Sequence, residues 1–241
     1  MRQIVQEGYE LSPWMKDGSY PSLDVEADYN EFTYSLFGLL PRIHIHLGMA
    51  MPPFYHMDYP MPVNYGGAGV AVARALLHSI DRSNIHFALQ DGSYIDAAGM
   101  KAAYSEQEKC LNKSELKGSN PNETIIDIAS LDVAFATYRF LVKVLGEDPV
   151  LPNMHNHTGQ QLIFVAFARL WCGNGKEKGG DSISPSRIDA AISNEPLFAN
   201  AFNCPPSSKY KPQVICNSWP DIFHDERTLP IEFPVLAKHS S

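Results

Sequence analysis

The stretch Val63 to Asp81, VNYGGAGVAVARALLHSID, limits what this chain can fold into more than any other. Gly66, Gly67 and Gly69 each lower helix propensity by about 1 kcal/mol relative to alanine. Such a cost is tolerated where backbones must approach closely. From Val70 to Ile80 nearly every residue is apolar or small, so the pattern predicts a helix buried on most sides. Arg74 breaks that pattern, because a buried guanidinium that lacks a partner costs several kcal/mol. His78 lies at i+4 from it, on the same helical face.

A metal-binding helix uses this spacing, with histidine at both positions and glutamate after the first. Here the five residues are Arg74-Ala75-Leu76-Leu77-His78. Taken alone, they describe a structural helix carrying one satisfied histidine. Further along, Asn120-Pro121 supplies start signals for a long helix, Asn122 to Leu145, and Gly146 ends it. Ile125, Ile128, Leu131, Phe135 and Tyr138 recur at three- and four-residue spacing, the period of a core-facing helix. Glu123 and Asp127 fall one turn apart on one face near its start. They repel unless a cation sits between or beside them. They read either as an exposed acidic first turn that favours the helix dipole or as a metal ligand with its supporting carboxylate.

The rest of the chain frames these helices. Residues 1–30 show no sustained period and read as loop or short helix. In Arg42 to Leu47, RIHIHL, apolar and polar residues alternate, the pattern of a half-buried strand. His44 and His46 share its polar face, where solvent-facing histidines and a metal pair are the two readings. Four prolines in Met51 to Pro62 predict an irregular loop. Asp96 to Leu111 reads as a helix with Cys110 near its end.

Composition excludes several classes of function. With 241 residues, 44% of them hydrophobic, the chain has enough material for one sizeable core. A net charge of -8 argues against nucleic acid and anionic membrane surfaces as partners. No apolar run reaches the roughly 18 to 20 residues of a membrane span, and residues 1–30 lack the pattern of a cleaved signal. The four cysteines, Cys110, Cys172, Cys204 and Cys216, show no C-x-x-C spacing, which leaves disulfides or buried thiols. Sequons at Asn112, Asn122 and Asn156 lean toward a secretory origin. Asn112 and Asn156 are expected in loops, and Asn122 is expected to carry no glycan because it adjoins a buried helix.

An ordered set of motifs resembles the neprilysin and endothelin-converting-enzyme family of zinc metallopeptidases. Gly48 with Pro52-Pro53-Phe54 is similar to the family's P-A-G-x-L-Q-P-P-F, and Asn64-Tyr65-Gly66-Gly67-Ala68-Gly69 to N-F-G-G-x-G. Arg74 to Asp81 stands where the family has H-E-x-x-H-x-F-D, and Glu123 to Asp127 where it has E-N-x-A-D. Trp171-Cys172-Gly173 matches W-C-G. Ser184-Pro185 with Arg187 follows the H-S-P-x-x-x-R block, and Cys216 to Trp219 resembles the terminal C-x-x-W. The resemblance covers about Ile43 to Trp219, the C-terminal catalytic portion of much longer proteins.

It implies a mainly α fold with a small β-sheet, an α+β, thermolysin-like (zincin) catalytic domain. The division is a poorly matched segment 1–41, a catalytic domain 42–219 and a tail 220–241. His78 and Glu123 occupy two zinc-ligand positions, with Arg74 at the third. Ala75 replaces the general-base glutamate and cannot move a proton. Asp127 keeps the position of the carboxylate that orients a ligating histidine. Ile183 replaces the oxyanion-stabilising histidine. Arg187 keeps the substrate-binding arginine across a gap, and a count without the gap places Asp189 there instead. Asn30-Glu31-Phe32 echoes the motif N-A-F-Y that binds substrate backbone.

Catalytic zinc needs about three protein ligands, so no zinc is expected here. The guanidinium of Arg74 is expected to pair with Glu123 and Asp127 in the metal's stead. The expected function is a peptide-binding pseudoenzyme of the proteolytic family, extracellular or in the secretory pathway. Its partners would be a peptide or protein ligand and a further chain over the cleft, which is expected to expose an apolar face. The alternatives are a working zinc endopeptidase using a histidine such as His44, His46 or His86, and a non-functional fragment. The resemblance also implies a Cys110–Cys216 disulfide and leaves Cys172 and Cys204 as free thiols, a mutual pair or links to another chain.

Overall fold

The computed structural model describes residues 33–37, 40–44, 47–78, 80–81, 97–114, 120–146, 156–170, 185–206 and 208–216. Two short strands, β1 (Thr33–Phe37) and β2 (Leu40–His44), pair antiparallel, with Thr33 opposite His44 and Phe37 opposite Leu40. After them the described chain is helical: α1 (Met61–Asn64), α2 (Val70–His78), α3 (Ala97–Lys113), α4 (Pro121–Leu145), α5 (Gly159–Leu170), α6 (Pro185–Ser193) and α7 (Pro196–Ala201). The mainly α expectation therefore holds for the described residues.

Helix α4 is the centre of the core. Asn120 caps it, its side-chain oxygen accepting from the Glu123 N–H at 3.3 Å, and Pro121 fills the first turn, where no N–H is needed. Gly146, at φ +91°, ends it. Ile125, Ile126, Ile128, Leu131 and Phe135 are each at most 2% exposed. Burying each such side chain contributes about 1.5–3 kcal/mol. Helices α2, α3 and α6 pack on α4, and α5 closes against α1 and the segment after it. Phe164 of α5 stacks on Phe135 at 5.4 Å and meets Phe198 of α7 edge-on at 5.1 Å.

The glycine stretch behaves as its composition predicts, for a reason only packing supplies. Tyr65–Gly69 forms a π-helical turn joining α1 to α2. A Cβ on Gly66 would lie 2.2 Å from the Ile163 carbonyl oxygen, and one on Gly67 would lie 2.3 Å from that of Phe54. Both glycines let α5 and the preceding loop approach closely.

Several boundaries differ from those expected. The strand predicted at Arg42 to Leu47 is Leu40–His44, and Leu47 opens a 3-10 turn. Thr33 is the partner of His44, and residues 45 and 46 lie outside the described residues. The proline loop stops two residues early, since Met61 and Pro62 form the first turn of α1, where proline is tolerated. Helix α2 ends at His78 rather than Ile80 and leaves Leu76 half exposed, so one side of it meets solvent. Asn112 lies in the last turn of α3 instead of a loop, Asn156 lies in an exposed turn, and Asn122 is half-buried. The Cys110–Cys216 disulfide is present, and Cys204 is a half-buried free thiol. Residues 1–30, His46, His86, Cys172, Ile183, Trp219 and the tail 220–241 lie outside the described residues.

Candidate functional site

Three helices bring charge to one place. Helix α2 contributes Arg74 and His78, α4 contributes Glu123 and Asp127, and α6 contributes Arg187. The Arg74 guanidinium forks, donating from Nη1 to Asp127 Oδ1 and from Nη2 to Glu123 Oε2. Arg187 takes the other oxygen of Asp127: its Nε donates to Oδ2 at 2.7 Å, and its Nη2 lies 2.7 Å from the same atom and 3.6 Å from Glu123 Oε2. His78 turns Nδ1 toward Asp81 Oδ2 at 3.2 Å and Nε2 toward Glu123 Oε2 at 3.9 Å. Ala75 is buried beside them and carries no titratable group.

Burial and charge act against each other on the two carboxylates. Burial disfavours the Glu123 anion, but Arg74, then His78 and Arg187, outweigh it and hold the carboxyl below its ordinary range. Asp127 lies deeper. Burial pushes its carboxyl above its ordinary range, and Arg74 and Arg187 offset that only in part. Two guanidiniums facing two carboxylates balance in charge, which is the condition for keeping them away from water.

This donor set does not fit a zinc ion. Glu123 Oε2, the oxygen nearest His78, already accepts from Arg74 Nη2, so a metal there would meet a fixed positive charge. No group of three histidine, cysteine or acidic side chains able to hold a metal occurs among the described residues. A stable zinc site needs about four donors, and Arg74 has none to offer because a guanidinium cannot deprotonate in a protein.

The structure brings together Arg74, Ala75, His78, Glu123 and Asp127 as the sequence grouped them. It separates the two candidates for the substrate arginine position. Arg187 is in the cluster, 2% exposed, and two of its nitrogens are turned onto Asp127. Asp189 is instead held by Lys209 at 3.0 Å and Tyr210 at 2.8 Å. Asp81 was not singled out in the sequence, although its i+3 spacing from His78 was the available signal. Asn30 and Ile183 lie outside the described residues.

Residues 41–217 match the family model described as Peptidase family M13. Among relatives, neprilysin-11 of Caenorhabditis elegans is 25% identical over 235 residues, covering 86% of this chain and 28% of that protein. Human neprilysin is 30% identical over 196 residues, covering 71% of this chain and 26% of that protein. The chain therefore spans about a quarter of the length of these relatives. Among solved structures, a Haemonchus galactose-containing glycoprotein complex superposes with a TM-score of 0.65 at 21% identity, over 78% of this chain and 32% of that one. The Mycobacterium tuberculosis zinc metalloprotease Zmp1 bound to an inhibitor gives 0.58 at 18% identity, over 73% and 30%. At these identities the structural matches speak for the fold.

Proposed function

The chain belongs to peptidase family M13, and from that premise we infer that it is a non-hydrolytic member that engages peptides without cleaving them. The observation carrying this reading is the Arg74 fork onto Glu123 and Asp127. It fills with an internal cation the place where the family's peptidases hold zinc. Ala75 cannot accept a proton from water. Ile183 offers no donor to a developing oxyanion, a role whose loss in other enzymes costs about 10² to 10³ in rate.

His78 and Glu123 are then vestigial ligands, and Asp127 has exchanged the orienting of a metal-bound histidine for the pairing of two arginines. Residues 42–219 form the α+β, zincin-type domain, with 1–41 and 220–241 outside it. Peptide recognition falls to the edges of the β1–β2 ribbon, which pair with no further strand among the described residues and where an extended chain adds as one. Asn30, outside the described residues, would contact the peptide backbone. Arg187 would have to leave Asp127 to do so, and its near-complete burial weighs against that role. The disulfide favours an oxidising compartment, outside the cell or in the secretory pathway, where glycans at Asn112 and Asn156 are permitted. Half-exposed Leu76 and Val165 suit a further chain laid over the domain.

The test joins metal content to peptide chemistry. The purified protein is equilibrated with zinc, dialysed, analysed for metal and incubated with a mixed peptide library. Far less than one zinc per chain, no cleavage and saturable peptide binding are expected. Arg74→His with Ala75→Glu should raise the zinc content. Stoichiometric zinc with cleavage by the parent protein would instead support a working endopeptidase with atypical ligands. Non-cooperative unfolding and no peptide binding would mark a non-functional fragment.

A further inference from the structure

A second feature shares no residue with the guanidinium cluster. A cavity of about 830 Å³ opens where the end of α3, the end of α6 and the segment 208–216 meet. This is within the range of sites for small organic ligands. Among the described residues, Lys109, Lys113 and Lys209 line it against one carboxylate, Glu106. That is unusual on a chain whose net charge is -8.

Lys109 and Lys113 stand one turn apart on α3. Attraction to the carbonyl end of the helix accounts for Lys113. It does not account for Lys109 a turn earlier, nor for Lys209, which reaches the same space from a different segment. Lys209 is tethered, with Asp189 at 3.0 Å and the Tyr210 ring centroid at 4.5 Å. The Ser208 hydroxyl accepts from the Tyr210 N–H, which leaves its own proton to donate.

The wall is held in place. Cys216 is bonded to Cys110, its N–H donates to Asn194 Oδ1 at 2.6 Å, and its carbonyl accepts from Gln107 Nε2 at 3.0 Å. A preformed wall lowers the ordering cost of binding. Pro212, Val214 and the disulfide add apolar surface to the lining.

We propose that this cavity binds a small organic polyanion bearing phosphate or sulfate esters. Its oxyanions sit on Lys109, Lys113 and Lys209, and its carbon skeleton lies against Pro212, Val214 and the disulfide. A single exposed lysine contributes little because solvent screens it, so the ligand must carry several charges. This site does not depend on the peptide-binding reading.

Calorimetric titration of the whole chain tests it, with inositol hexakisphosphate as the phosphate probe and a sulfated disaccharide as the sulfate probe, at low salt. At least one probe should bind saturably at one per chain, and the stronger one identifies the ester. Lys109→Gln with Lys113→Gln should weaken that binding about tenfold or more, since two of the charges facing the ligand are lost. Lys209→Gln, on a separate segment, should also weaken it. Lys101→Gln with Lys143→Gln removes equal charge outside the cavity and should change affinity less than about twofold. No saturable binding by either probe at about millimolar concentration, or equal loss in both double variants, overturns the proposal.

Discussion

On α4, two buried carboxylates little more than a turn apart are neutralised by different means. Asp127 faces the guanidiniums of Arg74 and Arg187. Asp132 faces Glu195, an acid that is itself 1% exposed. Burial first, and Asp132 second, push the Glu195 carboxyl up to about 8, so at neutral pH it holds a proton against its neighbour. The acidic pair thus has a cationic end at Asp127, beside Glu123, and a protonic end at Asp132. Stability carried by the lowered Glu123 carboxyl is lost in acid, and stability carried by the raised Glu195 carboxyl is lost as pH rises.

The largest effect tests the cationic end. Arg187→Met leaves Asp127 with half of its compensation and should destabilise the protein by about 3–5 kcal/mol, the usual loss when one partner of a buried pair is removed. Urea unfolding of this variant, and of one that also carries Asp127→Asn, measures it, and the second change should restore much of the loss. A loss below about 1 kcal/mol would place Arg187 among ordinary surface pairs and erase the contrast.

The next effect tests the protonic end. Folded Glu195 keeps a proton that the unfolded chain releases above its ordinary value of 4.5, so stability falls as pH rises from 4.5 to about 8. Glu195→Gln mimics the protonated acid. It also keeps the oxygen that accepts from Leu197 N–H at the start of α7. It should flatten that slope and exceed the parent above pH 8 by about 2–4 kcal/mol, since each tenfold difference in proton affinity between folded and unfolded chain is worth about 1.4 kcal/mol. Unfolding midpoints across this range decide it, and a parallel slope in the variant would refute the retained proton. Glu123 has the opposite sign. Its lowered value gives stability that is present above the ordinary carboxylate range and is lost as pH falls below it.

The smallest effect concerns how the cationic end is aimed. Asn120→Ala removes the oxygen that holds the Glu123 N–H and should cost about 1 kcal/mol. Thermal unfolding reads that loss, and a matching change at the Glu195 end is not expected.

How much of this was legible depended on how local each signal was. The long helix could be placed because Asn120-Pro121 starts it, Gly146 stops it and the apolar period runs between them. The partners of Arg74 were legible because a charge in an apolar helix demands compensation and two acids shared one face. The Thr158/Gln161 pair that caps α5 reciprocally has the readable pattern T-x-x-Q, a local signal that the expectations above did not include. The engagement of Arg187, the Asp132–Glu195 contact and the lysine cavity were not readable, because each joins residues far apart in the chain.

The sequence by itself determined helices α2, α3 and α4, the need for close backbone approach at the glycines and the need to neutralise Arg74, since propensity, size and charge act within a turn or two. Only the tertiary structure decided which oxygen of Asp127 each arginine takes. It also decided that three lysines face one space. Those outcomes depend on how α6 sits on α4 and how the segment 208–216 folds back to α3, and neither is a property of any one stretch of chain.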